Sequence, residues 1–234
     1  MPRRVRPQPP KDGGSDEKQA LIREIVSETA ETAAMTGRRE LSARLLAALS
    51  KVKREAFVPD SEVRFAYINA PLPIGHGQTI SQPFIVAIMT ELLDLKPDDV
   101  VLEIGTGSGY QAAVLADLAR QVYGVEIVPE LVENARRALA QEGYRNVEVR
   151  CGDGNEGWPE HAPYDAIIVT AAAETVPPAL LTQLKPGGRM IIPLGEVYAH
   201  QALVLFEKDE AGKIERHDIM DVAFVPLIAG NERP

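Results

Sequence analysis

The chain has 234 residues, a net charge of −9, 45% hydrophobic residues and 25% charged residues, which is an ordinary composition for a globular protein. The negative charge disfavours a nucleic-acid partner, because nucleic acids bind basic surfaces. No apolar run approaches the roughly 18 residues that a membrane-spanning helix needs. The single cysteine, Cys151, excludes an intrachain disulfide and fits a reducing cytoplasm, so we expect a cytoplasmic protein without a membrane partner.

The first 99 residues predict a tail, three helices and a polar loop. Residues 1–15 are rich in proline and basic side chains and are predicted to form a flexible tail. Helical spacing of apolar residues predicts helices over residues 16–34, 41–49 and 84–93. Asp16 could cap the first of these helices, and Ser81 could cap the third. The segment from Pro71 to Ser81 is polar and glycine-bearing and is predicted to be a loop.

From residue 100 onward, predicted strands alternate with predicted helices. The strands cover residues 100–104, 121–126, 147–151, 164–170, 189–193, 201–208 and 222–226. The helices cover residues 108–118, 129–141 and 178–183. This alternation predicts an α/β fold with a doubly wound, mostly parallel Rossmann-like sheet, helices on both faces and an N-terminal helical extension. The last two strands have no helix between them and could form an antiparallel edge.

The glycine-rich sequence VLEIGTGSGY joins the first strand of this region to a helix. Nucleotides bind at such turns in open α/β sheets, although a tight turn without a ligand can have the same residues. Dinucleotide-binding loops have the spacing G-x-G-x-x-G. Here the spacing is E-x-G-x-G-x-G, with glycines at 105, 107 and 109 and a tyrosine at 110.

Acidic residues end three consecutive predicted strands. Glu103 would repel a pyrophosphate but suits a ligand that carries an ammonium group. Glu126, about 20 residues beyond the glycines, can accept hydrogen bonds from ribose hydroxyls. Asp153 could bond an adenine amino group. S-Adenosylmethionine (SAM) has all of these groups and no phosphate, so the sequence predicts a SAM-binding core over residues 100–230, in one structural domain with residues 16–99.

Four segments resemble the class I SAM-dependent methyltransferases over residues 100–195: VLEIGTGSGYQAAVLA, VYGVEIVPELVENAR, GDG and YDAIIVTAAAETVPPALLTQLKPGGRMIIPLG. The segment LPIGHGQTISQPFIVAIMTELL resembles the signature of the protein-L-isoaspartate O-methyltransferase family. FVP at 57–59 and FVPLIAG at 224–230 extend this resemblance to residues 41–230.

The resemblance implies a protein-repair enzyme that transfers a methyl group from SAM to the free α-carboxyl of L-isoaspartyl residues in damaged proteins and peptides. A carboxylate with a pKa near about 4 is already ionised at neutral pH and needs no general base. Catalysis therefore rests on orientation. The family's active-site serine falls on Ser81, which we interpret with Thr79 as a hydrogen-bonding positioner of the substrate.

The resemblance and the strand ends together give two sets of candidate residues. The predicted cofactor-binding residues are Glu103, Gly105, Thr106, Gly107, Ser108, Gly109, Glu126, Ile127, Asp153, Gly154 and Thr170. The predicted substrate-binding residues are Ile74, Gly75, Gln78, Ile80, Gln82, Ala171, Ala172, Val225 and Pro226. No metal is expected, because no histidine pairs with a cysteine or another histidine at metal-ligand spacing.

Three residues have plainer interpretations. His76 lies between two glycines and is interpreted as a solvent-facing loop residue rather than a base. Cys151 is predicted to be buried, and Trp158 to pack on a loop.

Two rival functions are a SAM-dependent methyltransferase of a small molecule and a non-enzymatic SAM- or nucleotide-binding module, while Tyr110 and Glu103 disfavour a dehydrogenase. We expect a monomer.

Overall fold

The structure is a computed structural model that describes residues 13–196 and 199–230. Of the predicted tail, residues 1–12 lie outside the described residues. The first helix, α1 (Gly13–Glu31), begins three residues earlier than predicted. Asp16 therefore lies within the first turn of α1 rather than before it, and the prediction that it caps the helix is wrong.

The N-terminal region continues with three further α-helices, two 3₁₀ helices and a hairpin. These elements are α2 (Ala33–Thr36), α3 (Ala43–Lys51), a 3₁₀ helix (Arg54–Phe57), a second 3₁₀ helix (Val63–Phe65), strands β1 (Leu72–Gly75) and β2 (Gln78–Ile80), and α4 (Pro83–Leu92). The side chain of Ser42 caps α3 by accepting a hydrogen bond from the Leu45 amide. The predicted cap of α4 by Ser81 is wrong. The Phe84 amide instead donates to the Asn69 side chain, at 3.0 Å.

The segment predicted to be a loop before α4 is a hairpin. β1 and β2 pair antiparallel, and Leu72 faces Ile80 across the pair. Both of these side chains are buried, so the alternation along β1 holds the hairpin on the core. The turn residues Gly75, His76 and Gly77 all have positive φ, a conformation that glycine adopts without strain.

The main sheet has seven strands in the order β5-β4-β3-β6-β7-β8-β9. The strands are β3 (Val100–Ile104), β4 (Gln121–Glu126), β5 (Val147–Cys151), β6 (Tyr164–Val169), β7 (Leu184–Gly195), β8 (Gln201–Lys208) and β9 (Ile214–Val222). The crossover helices are α5 (Tyr110–Ala116), α6 (Pro129–Gln141) and α7 (Pro178–Gln183), and two short 3₁₀ helices follow β5 at Gly154–Glu156 and Pro159–His161. β3 to β7 run parallel. β8 pairs antiparallel with both β7 and β9, so β9 runs in the same direction as β3 to β7. The predicted α/β fold with an antiparallel edge is confirmed.

Two predicted strands have the wrong bounds. β7 begins at Leu184, so the sequence KPGG lies inside the strand rather than before it. At this point the pairing of β7 with β6 shifts register between Tyr164 and Ala166. The last strand is Ile214–Val222 and not residues 222–226. Its sequence IERHDIMDV is charged because β9 is an exposed edge, where charged side chains prevent further pairing. The apolar residues after it form an irregular segment in which Pro226 bridges to Ala172.

The core consists of two hydrophobic clusters. The larger joins the N-terminal helices to α4, α5, α6 and to sheet residues such as Val101 and Val122. The smaller contains Leu102, Ile167 and Met190 with Tyr164 and Leu180. Because side chains alternate along each strand, Val101 and Leu102 lie on opposite faces of the sheet. β3 lies between β4 and β6 in the sheet, so β4 and β5 were added on one side of β3 and β6 and β7 on the other. Open α/β sheets bind ligands at the carboxyl ends of the strands where the order changes sides in this way.

Candidate active site

A cavity lies at the carboxyl ends of β3, β4 and β6. It encloses about 730 Å³ of empty space, open solvent at its mouth included. The predicted cofactor residues on its wall are Gly105, Thr106, Gly107, Ser108, Glu126, Ile127, Gly154 and Thr170. The other wall residues include Tyr110 and Gln111 from the start of α5.

The glycine loop is held in place from two sides. Gly105 has a φ of +86°, and a Cβ there would lie only 2.7 Å from the Thr170 hydroxyl oxygen, so glycine is required. That hydroxyl donates to the carbonyls of Gly105, at 2.6 Å, and Ile104, at 3.0 Å. On the other side, one Glu126 oxygen accepts from the Gly107 amide at 2.8 Å. The loop is thus tied to the ends of β6 and β4.

Glu126 also anchors the segment that follows β4. Its second carboxylate oxygen accepts a hydrogen bond from the Val128 amide at 3.0 Å. A carboxylate has about four lone-pair sites, and the two amides occupy two of them. Glu126 can therefore accept further hydrogen bonds from a ligand in the cavity while it supports the loop.

Glu103 lies outside the cavity wall. The side chain is fully buried, and neither carboxylate oxygen has a hydrogen-bond partner among the described residues. Burial raises its pKa to about 8, although the neighbouring Thr106 side chain and Ala112 amide favour the charged form. The carboxyl is therefore protonated at neutral pH in the free protein. The predicted contact with a ligand ammonium group has no support from this placement and stays a prediction.

Asp153 and Gly109 also lie off the wall. Asp153 accepts hydrogen bonds from the Gly230 amide at 2.7 Å and from the Asn155 amide at 2.8 Å. Burial favours a raised pKa for Asp153, but these hydrogen bonds outweigh it and lower the pKa below its ordinary value. Asp153 thus fixes the C-terminal segment beside the cavity. Gly109 directly precedes α5, and a Cβ there would lie 3.3 Å from Ala135 and Leu139 of α6.

A second cavity adjoins the first on the side of the N-terminal region. Its wall comes from α1, the hairpin, α4 and the segment from Met220 to Val225. Four residues line both cavities: Thr79, Ser81, Thr170 and Val225. The two predicted catalytic residues therefore lie where a ligand of the first cavity would meet a ligand of the second.

The model of the protein-L-isoaspartate(D-aspartate) O-methyltransferase family matches residues 32–232. The chain belongs to this family. It is 54% identical over 217 residues to protein-L-isoaspartate O-methyltransferase 1 of Cupriavidus necator, covering 93% of this chain and 84% of that one. It is 56% identical over 214 residues to protein-L-isoaspartate O-methyltransferase 1 of Nitrosospira multiformis, and this match covers 92% of this chain and 88% of that one.

One solved structure agrees with this family, and a second has the same fold. One structure of a protein-L-isoaspartate O-methyltransferase is 30% identical with a TM-score of 0.77, and the match covers 91% of this chain and 66% of that one. A Plasmodium falciparum protein assigned the same name was crystallised with S-adenosyl-L-homocysteine and has a TM-score of 0.75. The match covers 93% of this chain and 99% of that one. At 24% identity this second likeness shows the fold alone. The resemblance stated from the sequence is confirmed.

The predicted substrate residues of this methyltransferase divide between the two cavities. Gln78, Ile80, Ala171, Val225 and Pro226 line the first cavity, and Gln82 and Val225 line the second. Three predicted residues line neither. Ile74 is buried under the hairpin, Gly75 lies in its turn, and Ala172 pairs through its backbone, since its amide donates to the Val225 carbonyl at 2.8 Å.

Sequence reasoning missed two acidic residues of the second cavity. Glu28 of α1 accepts hydrogen bonds from the side chains of Asn69, at 2.7 Å, and Gln82, at 3.4 Å. Asp221 lies near the end of β9. No local motif marks either residue, because only the tertiary fold brings α1 and β9 to the hairpin.

The three residues with plain interpretations lie outside both cavities. His76 is exposed at the hairpin turn. Trp158 packs edge-to-face against Tyr123, with ring centroids 5.4 Å apart. The prediction that Cys151 is buried is wrong. It is exposed, because β5 is the other edge of the sheet and Cys151 is its last residue.

The described residues contain neither a candidate metal site nor a candidate membrane-spanning helix. No group of three or more His, Cys, Asp or Glu side chains within residues 13–196 and 199–230 could hold a metal ion. Over the same residues, no helix is both long enough and apolar enough to cross a membrane.

Proposed function

We propose that this protein transfers a methyl group from SAM to the free α-carboxyl of L-isoaspartyl residues in damaged proteins and peptides. The observation that carries the proposal is the junction of the two cavities at Thr79 and Ser81, within the GQTIS segment of the hairpin. The family membership and the names of the close relatives support it.

The residues of the first cavity fit SAM. Glu126 has lone pairs free for the ribose hydroxyls, and the backbone of the glycine loop lines the cavity. The loop can take this position only with glycine at 105, because a Cβ there would collide with Thr170. When bound, SAM supplies an electrophilic methyl group on a positively charged sulfur. Ser108, Ile127 and the other wall residues would enclose it. Asp153 holds the C-terminal segment beside that wall.

The chain's own contribution to the reaction is to orient the acceptor. An ionised carboxylate needs no general base, so the requirement is to hold one oxygen in line with the methyl group. Neither the Thr79 nor the Ser81 hydroxyl donates a hydrogen bond to any described residue. Both hydroxyls are therefore available to the substrate carboxylate. Ala171 is small and leaves room for a peptide backbone beside them.

Two synthetic peptides test the proposal. They are identical except that one has L-isoaspartate where the other has L-aspartate. Each is incubated with the enzyme and labelled SAM, and base-labile methyl ester is counted. We expect label on the isoaspartyl peptide alone. Label on neither peptide, with SAM binding intact in a calorimeter, would contradict the proposal and direct the search to small-molecule acceptors.

The proposal includes the setting in which the enzyme works. We place it in the cytoplasm as a monomer without a nucleic-acid or membrane partner, in agreement with the single cysteine and the net charge of −9. Light scattering on a size-exclusion column tests the monomer, since a mass well above 25.5 kDa would contradict it.

A further inference from the structure

Arg54 is completely buried, and it is the only buried lysine or arginine in the described part of the chain. It begins the 3₁₀ helix Arg54–Phe57. Its Nη2 atom donates to the Ala70 carbonyl at 3.2 Å, but Nε and Nη1 have no hydrogen-bond partner among the described residues. Burying such a group costs free energy, because a buried charge is stable only when it is paired and hydrogen-bonded.

The guanidinium nevertheless keeps its charge. Burial lowers the pKa of Arg54 to about 10, and contact with Tyr110 partly offsets this effect. The group is therefore protonated at neutral pH. A buried and incompletely bonded cation that weakens the fold needs a reason other than stability.

Arg54 lies directly behind the wall of the cofactor cavity. Its guanidinium carbon is 4.9 Å from the centroid of the Tyr110 ring, and Tyr110 lines that cavity. Phe57, from the same short helix, packs edge-to-face on Tyr110 with centroids 6.0 Å apart. Tyr110 thus contacts both the buried positive charge and the ligand space.

The walls of both cavities lack a positive charge. The charged residues on them are Glu126 in the first cavity and Glu28 and Asp221 in the second, and no described Lys, Arg or His lines either. The amino-acid group of SAM nevertheless carries a carboxylate. Electrostatic interactions across a buried ring are weakly screened, so a charge behind the wall can act on the ligand.

We propose that Arg54 is a positioning residue of the methyl-transfer site, which acts through Tyr110 as the positive countercharge for the carboxylate of the cofactor's amino-acid group. This inference rests on the proposed function. It explains why a site with acidic walls can hold an anionic group, and why an unpaired guanidinium is kept in the core.

The test compares two ligands by isothermal titration calorimetry. S-Adenosyl-L-homocysteine has the carboxylate, and S-adenosyl-3-thiopropylamine keeps the adenosine, the thioether and the ammonium group but lacks it. We expect Arg54→Met to weaken S-adenosyl-L-homocysteine about tenfold and to leave the affinity for the analogue unchanged or higher. Arg54→Lys keeps the charge and should stay within about threefold of wild type for both ligands.

Arg44→Met is the control, because Arg44 also donates to backbone carbonyls, those of Leu95 and Leu118, but it is exposed and, unlike Arg54, has no described contact with Tyr110. It should leave both affinities unchanged. Equal losses for the two ligands in Arg54→Met would overturn the inference in favour of a structural role, and so would no loss for either. If Arg54→Met does not fold, Arg54→Lys decides, since a tenfold loss for both ligands would overturn the inference. The isoaspartyl-peptide assay on wild type judges the proposed function separately.

Discussion

We expect Ser81 and Asp153 to serve different parts of the site, so their substitutions should change different measurements. Asp153→Ala removes the acceptor of the Gly230 and Asn155 amides, and we expect SAM affinity to fall about tenfold. Ser81→Ala removes a donor that bonds no described residue, and we expect kcat to fall at least about tenfold with SAM affinity within about twofold. Calorimetry and steady-state kinetics with an isoaspartyl peptide separate the two effects.

A serine outside the site provides the control for this pair. Ser27 donates to Glu31 on the exposed side of α1, and Ser27→Ala should change neither kcat nor SAM affinity. Equal loss of SAM affinity in Ser81→Ala and Asp153→Ala would contradict the division of roles.

Glu103 should make the stability of the protein depend on pH. Burial raises its pKa from 4.5 to about 8. Between these values the native state binds a proton that the unfolded state has lost, so the free energy of unfolding falls as pH rises from about 4.5 to about 8. Glu103→Gln removes this titration. Urea unfolding at pH 5, 6.5 and 8 should therefore show a smaller loss of stability in Glu103→Gln than in wild type.

An exposed acid serves as the reference for Glu103. Glu133 lies on the solvent side of α6 and pairs with Arg136. Glu133→Gln should reproduce the wild-type pH dependence over this range. If Glu103→Gln loses as much stability as wild type between pH 5 and pH 8, Glu103 does not take up the proton.

At the level of elements, the hairpin and α4 depend on Asn69. Its side-chain oxygen caps α4 through the Phe84 amide, and its nitrogen donates to Glu28. Asn69→Asp keeps the cap but brings a second carboxylate against Glu28. We expect the free energy of unfolding to fall by about 1–2 kcal/mol, with a rise in KM for the peptide because Glu28 lines the second cavity. Urea denaturation and peptide kinetics measure these changes.

The double variant isolates the pairing of these two side chains. Adding Glu28→Gln to Asn69→Asp gives the new carboxylate an amide donor, so at least half of the lost stability should return. No recovery in the double variant would show that the contact between Glu28 and residue 69 does not set the stability of this element.

The parallel strands were predictable because burial on both faces makes them short apolar runs. β3 and β4 have the predicted bounds. The bounds of α6, α7 and the edge strand β5 were also predicted correctly, although β5 is not buried on both faces. The misjudged elements are those whose sequence reflects the surface. β9 is a charged edge, and the hairpin residues Gly75 to Gln78 have loop composition although their neighbours pair.

At the scale of the whole molecule, the sequence predicted those site residues that lie at the carboxyl ends of the sheet strands. Residues at the ends of adjacent parallel strands must lie near one another, so Glu126 and the glycine loop could be placed from the sequence. Glu28, Arg54 and Asp221 could not, because they reach the site from elements distant in sequence. Glu103 was predicted at the correct strand end, but its burial below the loop depends on side-chain packing around β3.

The N-terminal helices and the SAM-binding core should unfold as one unit, because the larger hydrophobic cluster contains residues of both. Ile25 of α1 is 1% exposed in this cluster, while Trp158 packs on the smaller one. Ile25→Ala should lower the free energy of unfolding by about 2–5 kcal/mol, and urea midpoints from Trp158 fluorescence and far-UV circular dichroism should fall together. Val26→Ala, on the exposed side of α1, should shift neither by much. A fall in the dichroism midpoint with an unchanged fluorescence midpoint would instead show that α1 unfolds separately from the sheet.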